Sequence, residues 1–311
     1  MRVRDVGEVA LIDRIERAVR RAGRARDLVL GIGDDAAVLR LRRGEDLVAS
    51  TDACVEGVHF RFDWEPAPAI GRRALAAALS DLAAMGARPL GVLTALAAPP
   101  SLPLARADGL TRGLVAGARR FRVPLVGGNV TRARQTSLTV TVLGAVARDR
   151  ALRRDAARPG DGIFVTGTLG GAALAVARAA RGAPRRHQPE PRLTAGRALA
   201  RLREAGACID VSDGLVADLR HVLRASRVGA EIDPARVPVP RGFAAACARA
   251  GADPRRLALA GGEDYELLFT LRREVTGLAQ RLGVAVTEIG VVTRVAGLRG
   301  VPRALAGFTH F

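Results

Sequence analysis

The chain has 311 residues, 49% of them hydrophobic, which is length enough for two domains with cores of their own. Its 49 basic and 31 acidic residues leave a formal charge of +18, and every basic side chain is arginine; with no lysine anywhere, a Walker-type phosphate loop is excluded. The arginines are spread over Ala-rich helices and aromatics are scarce, with one Trp and one Tyr, so no nucleic-acid partner is expected, although the positive field favours phosphorylated small molecules.

In chain order, residues 8–25 read as an amphipathic helix, with Val9, Ile12, Ile15 and Val19 at helical spacing. Leu28–Leu30 and Ala37–Leu39 flank the turn Gly31-Ile32-Gly33-Asp34-Asp35. Leu47–Ala49 reads as a buried strand that ends at Ser50-Thr51-Asp52. Ala69–Met85 is a helix stopped by Gly86, Leu90–Leu96 a strand, and Leu104–Phe121 a second helix. Val123–Val126 runs into the turn Gly127-Gly128-Asn129, and the alternating stretch Leu138–Val146 closes the first half. Ala151–Asp161 is a connector. Strand Ile163–Thr166, the glycine turn Gly167–Gly171 and a helix to about Arg181 open the second half. A Pro-rich loop over 182–191 precedes a helix over Thr194–Ala205, a strand Ala207–Val211 and a helix Gly214–Ala225. The turn Gly261–Glu266, a strand Tyr265–Leu271 and a strand Val284–Val292 complete the pattern. Strands and helices alternate, so the class is α/β (α+β), with a boundary near residue 150.

The apolar stretch 74–100 is broken by Ser80-Asp81, Gly86 and Arg88-Pro89, so no membrane span is expected; residues 1–13 do not read as a signal peptide, and a cytoplasmic protein is expected. Cys54, Cys208 and Cys247 have neither disulfide nor metal spacing, and His59, His187, His221 and His310 form no zinc pattern.

Chemistry concentrates in carboxylates set among small residues. Asp34 and Asp35 either cap a turn or offer hard oxygen ligands. Ser50-Thr51-Asp52 either terminates a strand or converges on one cation. Asp81 lies in an Ala- and Leu-rich helix with Ala77 and Met85 at i−4 and i+4, so no local ion pair explains it, and a metal ligand is the stronger reading. A helix cap accounts for Ser212 or Asp213 but not also for Asp210 at the end of an apolar strand, and a helix start there suits a phosphate. The turn Gly167–Gly171 does not match the dinucleotide fingerprint and equally fits tight strand–helix packing. Carboxylates without lysine imply Mg²⁺-assisted phosphoryl transfer, with Arg132 and Arg154 as candidate sources of positive potential.

Eight segments, namely 7–12, 31–39, 50–52, 57–60, 80–87, 160–170, 209–215 and 261–267, together with the final Gly307–Phe311, resemble in order and spacing the thiamine-monophosphate kinases of the aminoimidazole-ribonucleotide-synthetase-like superfamily. The resemblance covers nearly the whole chain. It implies ATP-dependent phosphorylation of thiamine monophosphate to thiamine diphosphate. It implies several Mg²⁺ ions on Asp34, Ser50, Thr51, Asp52, Asp81, Asn129, Asp210 and Asp213, with Asp52, Asp210 and Asp213 at the chemistry. ATP contacts would fall on Gly128, Asn129, Arg154 and Ser212. The thiamine phosphate would meet His59, Glu263 and Phe308, the last able to pack on a flat ring. The implied architecture is a homodimer of two-domain chains. Residues 1–150 form a mixed-sheet half-barrel domain for ATP, Mg²⁺ and dimerisation, and 151–311 an α/β domain that completes the site.

One departure stands out. The family usually has Gly-Gly-Asp where this chain has Gly127-Gly128-Asn129, which removes a negative charge and puts one Mg²⁺ affinity or the substrate at stake. Two relatives within the superfamily fit less well. Selenophosphate synthetases use a reactive Cys or selenocysteine with Lys near the N-terminus, and the hydrogenase maturation factors end in a reactive Cys where this chain has Phe311. A catalytically weakened nucleotide- or nucleic-acid-binding protein is the rival of another class.

Overall fold

The computed structural model describes residues 1–20, 27–30, 36–272, 274–302, 305 and 307. The chain divides into two units, Met1–Leu82 with Arg88–Arg148, and Ala83–Ala87 with Asp149–Phe311.

In the first unit the order is α1 (Val3–Arg20), β1 (Leu28–Leu30), β2 (Val38–Leu39), β3 (Glu45–Val55), α2 (Ala67–Ala84), β4 (Arg88–Ala98), α3 (Leu104–Phe121), β5 (Leu125–Arg132) and β6 (Ser137–Ala147). The helix expected over 8–25 begins earlier, and its expected end at 21–25 lies outside the described residues. β3, β6, β4 and β5 form an open mixed sheet in that order, antiparallel except for the β4–β5 pair. Alternation sets its faces. Leu138, Val140 and Val142 are buried, whereas Thr139, Thr141 and Leu143 between them are half-exposed. α2 and α3 meet backbone to backbone: a β-carbon at Gly71 would lie 2.2 Å from the Leu110 carbonyl oxygen, and one at Gly113 2.2 Å from that of Pro68.

Two expectations need correcting here. The strand does not stop at Ser50, because β3 continues to Val55 and pairs with β6 along its whole length. Nor is it buried on both faces, since Leu47 is 55% exposed. A small polar run is compatible with a strand when its residues alternate between a covered and an open face. Likewise Gly127-Gly128-Asn129 is not a turn but part of β5, where the glycines let two backbones approach.

The second unit contains β7 (Gly162–Thr166), α4 (Gly171–Ala179), α5 (Leu193–Leu199), β8 (Ala205–Asp210), α6 (Leu215–Ser226), β9 (Gly229–Ile232), α7 (Phe243–Arg249), α8 (Pro254–Ala260), β10 (Leu267–Leu271), α9 (Leu278–Leu282), β11 (Val286–Thr293) and β12 (Gly297–Arg299). Its six-stranded sheet runs β12-β9-β11-β7-β10-β8, antiparallel apart from the β12–β9 pair. Ile163, Val165, Ile209 and Leu268 from the sheet pack with Leu215, Leu219 and Val222 of α6. The helix expected over 194–205 is cut to α5, since Ala205 already belongs to β8. Among the described residues no helix is long and apolar enough to cross a membrane, and all three cysteines are buried and outside any disulfide.

Candidate functional site

In the first unit two regular elements bring oxygen ligands together. Ser50 and Asp52 are alternate residues of β3 and share one face of the sheet, and α2 carries Asp81 to the same place. The Ser50 hydroxyl donates to Asp81 Oδ2 at 2.5 Å. Burial, and then the negative charge of Asp81, push the Asp52 carboxyl up to about 6. Asp52 faces Val140, which faces Thr94, which faces Gly128, so these four share one row across the sheet. A β-carbon at Gly128 would lie 2.0 Å from the Thr94 carbonyl oxygen, so only glycine fits.

Period two also separates what the sequence grouped. Thr51 lies between Ser50 and Asp52 and stands on the opposite face, where its hydroxyl is 2.9 Å from that of Thr141. Asn129 pairs with Ala95, is exposed, and belongs to that same outer face. The side chains of Thr51 and Asn129 therefore do not join those of Ser50, Asp52 and Asp81. Asp34 lies outside the described residues.

His59 sits in the turn after β3. Its Nδ1 accepts from the Val55 amide at 3.1 Å, which leaves the ring proton on Nε2. The turn is anchored from beneath by a buried ion pair: Arg73, 2% exposed, donates to Glu65 Oε1 at 2.6 Å and to the His59 carbonyl at 3.0 Å.

In the second unit Asp210 ends β8 and is buried, and Ser212, Asp213 and Gly214 turn the chain into α6. The turn over 261–266 lies alongside. The Glu263 amide donates to the Ser212 carbonyl and the Tyr265 amide to that of Val211, each at 2.8 Å. The Ser212 and Glu263 of the sequence reading are thus backbone neighbours. Glu263 has a left-handed φ of 66°, and its Oε2 accepts from Arg185 at 2.5 Å. Gly307 approaches the Asp213 carbonyl, whereas Phe308 lies outside the described residues. Arg154 is exposed, and its carbonyl accepts from the Ser226 hydroxyl.

Asp218 is a buried residue of this turn region that the sequence reading missed. One oxygen, Oδ2, accepts from the amides of Ser212, Asp213 and Gly214 at 3.0, 3.1 and 3.1 Å. Those three donors, which precede the first residue of α6, are engaged by the chain itself. Burial, with Asp210 and Asp213 close by, pushes the Asp218 carboxyl up to about 7. The signal was an acid on the apolar stripe Leu215, Leu219, Val222, the same signal that marked Asp81. Asp264 plays a related part, accepting from the Gly170 and Ala172 amides at the start of α4.

No group of three or more His, Cys, Asp or Glu side chains is arranged to hold a metal among the described residues. Mg²⁺ does not need such a cage, because it takes one or two carboxylates and fills its octahedron with water and substrate phosphates. The donors here are all oxygens, and the crowding of Asp52 by Asp81 is the kind a cation relieves. The residues present fit Mg²⁺.

Residues 33–146 match the N-terminal domain model of the AIR synthase related proteins, and residues 158–301 match its C-terminal counterpart. The chain is 40% identical to the thiamine-monophosphate kinase of Escherichia coli (strain K12), over 98% of each chain. It is 39% identical to the crystal structure of thiamine-monophosphate kinase from Stenotrophomonas maltophilia K279a, covering 93% of this chain and 94% of that one with a TM-score of 0.81. It also resembles AaThiL complexed with AMPPCP and TMP, at 29% identity and a TM-score of 0.78, over 100% of this chain and 99% of that one.

Proposed function

The chain belongs to the thiamine-monophosphate kinase family of AIR synthase related proteins, and on that premise we propose that it transfers the γ-phosphoryl group of ATP to thiamine monophosphate, releasing ADP and thiamine diphosphate. A phosphate oxygen of thiamine monophosphate forms the new P–O bond as the bond from the γ-phosphorus to the β–γ bridging oxygen breaks. The second pKa of a phosphate monoester is about 6, so the nucleophile is already ionised at neutral pH and needs no strong base. The described His59 ring accepts at Nδ1 from the Val55 amide.

What carries the reading is oxygen-only chemistry in each unit: Ser50, Asp52 and Asp81 in the first, Asp210 and Asp213 in the second. These are the residues proposed to hold Mg²⁺, with Asp34 as a further ligand from the resemblance. Bound Mg²⁺ would neutralise phosphate charge as it shifts during transfer. The chain's own residues fix the carboxylates, and its excess of arginine supplies the surrounding positive field. The bound AMPPCP and TMP of the AaThiL relative support the same pair of substrates.

The outer face of the four-stranded sheet supports the further proposal of a homodimer. Leu47, Ala49 and Ala53 are exposed there, and Leu93 and Leu143 half-exposed, an apolar face that a second copy would cover. Sedimentation should give twice the chain mass, and Leu47→Arg should shift it toward the monomer.

The test of the activity is incubation of the protein with ATP, Mg²⁺ and thiamine monophosphate, followed by chromatography. Thiamine diphosphate and ADP should appear one for one; folded protein that forms neither contradicts the reading.

A further inference from the structure

The turn between β8 and α6 carries one candidate metal ligand, Asp213, and leads out of another, Asp210, the last residue of β8; it is clamped on both sides. On one side the carbonyls of Val211 and Ser212 accept from the backbone of Tyr265 and Glu263. A β-carbon at Gly262 would sit 2.3 Å from the Ser212 carbonyl oxygen, so the two backbones are in direct contact. On the other side the amides of Ser212, Asp213 and Gly214 all point at Asp218 Oδ2. Successive amides of this kind make a concavity for an anion. In a phosphate loop the anion is the ligand; here it is a side chain from the first turn of α6, 1% exposed.

Gly214, at the helix start, has a φ of 113°, and a β-carbon there would lie 2.7 Å from the Ala260 carbonyl carbon, so no capping side chain can stand at that position. Asp218 instead brings a third carboxylate near Asp210 and Asp213, an unfavourable juxtaposition of like charges. This clamp is made by one side chain, so a single substitution removes it.

We propose that Asp218 is a positioning residue for the reaction: it fixes the turn that carries Asp213 and joins it to Asp210 at the end of β8, and through them sets the affinity for the divalent cation. The proposal rests on the kinase reading above. It assigns Asp218 no contact with substrate or metal.

The test uses the full chain with Asp218→Ala and Asp218→Asn, and three readouts. Amide hydrogen exchange in metal-free protein should show Ser212, Asp213 and Gly214 protected in the wild type and unprotected in Asp218→Ala. Mn²⁺, titrated alone and followed by water-proton relaxation, should bind Asp218→Ala about 10- to 100-fold more weakly, the range for groups that orient metal ligands. Asp218→Asn keeps one acceptor oxygen and should lose less than Asp218→Ala. The Mg²⁺ concentration for half-maximal turnover should rise by the same factors while KM for thiamine monophosphate stays within about twofold. A folded Asp218→Ala with wild-type Mn²⁺ affinity, or with lower kcat and no shift in Mg²⁺ dependence, overturns the proposal. If the alanine variant does not fold, unchanged Mn²⁺ affinity in Asp218→Asn does so. A wild type that binds no Mn²⁺ and makes no thiamine diphosphate brings down the kinase reading and this proposal together; a wild type that does both, with variants unchanged, brings down this proposal alone.

Discussion

The two units present acidic oxygens by different means. In the first, regular elements do the placing: the alternation of β3 puts Ser50 and Asp52 on one face, and a hydroxyl from the strand fastens Asp81 of α2. In the second, Asp210 and Asp213 flank a turn, and a turn has no repeating geometry. There the chain uses backbone contacts with the 261–266 turn and a buried carboxylate, Asp218. The lesson is that a ligand on a strand or helix inherits its position from the fold, whereas a ligand on a turn needs a tether, and the tether is a separate point of failure.

The largest effects should come from the ligands themselves. Asp52→Asn and Asp210→Asn should each lower kcat by about a thousandfold, or about 4 kcal/mol of barrier, with circular dichroism unchanged. If only one of the two does so, the clusters are not equivalent partners in the reaction. Next comes the support beneath His59. Arg73→Ala takes the guanidinium away from buried Glu65 and should destabilise the protein by about 3–5 kcal/mol in urea melts. Gly128→Ala forces β5 away from the Thr94 carbonyl and should cost about 2–3 kcal/mol, reported by a lower Tm. Ser50→Ala removes one hydrogen bond from metal-free protein and should cost only about 1 kcal/mol, since β3 and α2 still hold Asp52 and Asp81 in place. A much larger loss would mean that the first cluster, too, depends on a tether.

The pH response sharpens the same contrast. The Asp52 carboxyl is raised to about 6 in the folded state, above its ordinary value near 4, so between those limits the folded form holds more protons than the unfolded form. Metal-free stability should therefore fall as pH rises through that window. Added Mg²⁺ should raise Tm more at pH 7.5 than at pH 5, because it competes with the proton for the same oxygen. Equal increments at both pH values would remove Asp52 from the cation site.

Much of this was legible in the sequence because local rules were enough. The helix Leu104–Phe121 appears with the expected bounds, and Asp81 was singled out because a carboxylate on an apolar helix face lacks a local partner. The faces of β3 were not legible. Ser50-Thr51-Asp52 looks like punctuation, and only pairing with β6 makes it strand interior and sends Thr51 to the other side. Arg185 was hidden in a Pro-rich loop with no periodicity, and its link to Glu263 spans 78 residues. β9 and the short helices α7 and α8 fall below the length at which periodicity separates helix from strand.

The measurement closest to the central claim is a count of bound Mn²⁺ per chain by electron paramagnetic resonance, with AMPPCP present. Wild-type protein should bind Mn²⁺, and Asp52→Asn and Asp210→Asn should each bind less. Full wild-type occupancy in both variants would contradict the claim that these two acidic clusters hold the cations of phosphoryl transfer.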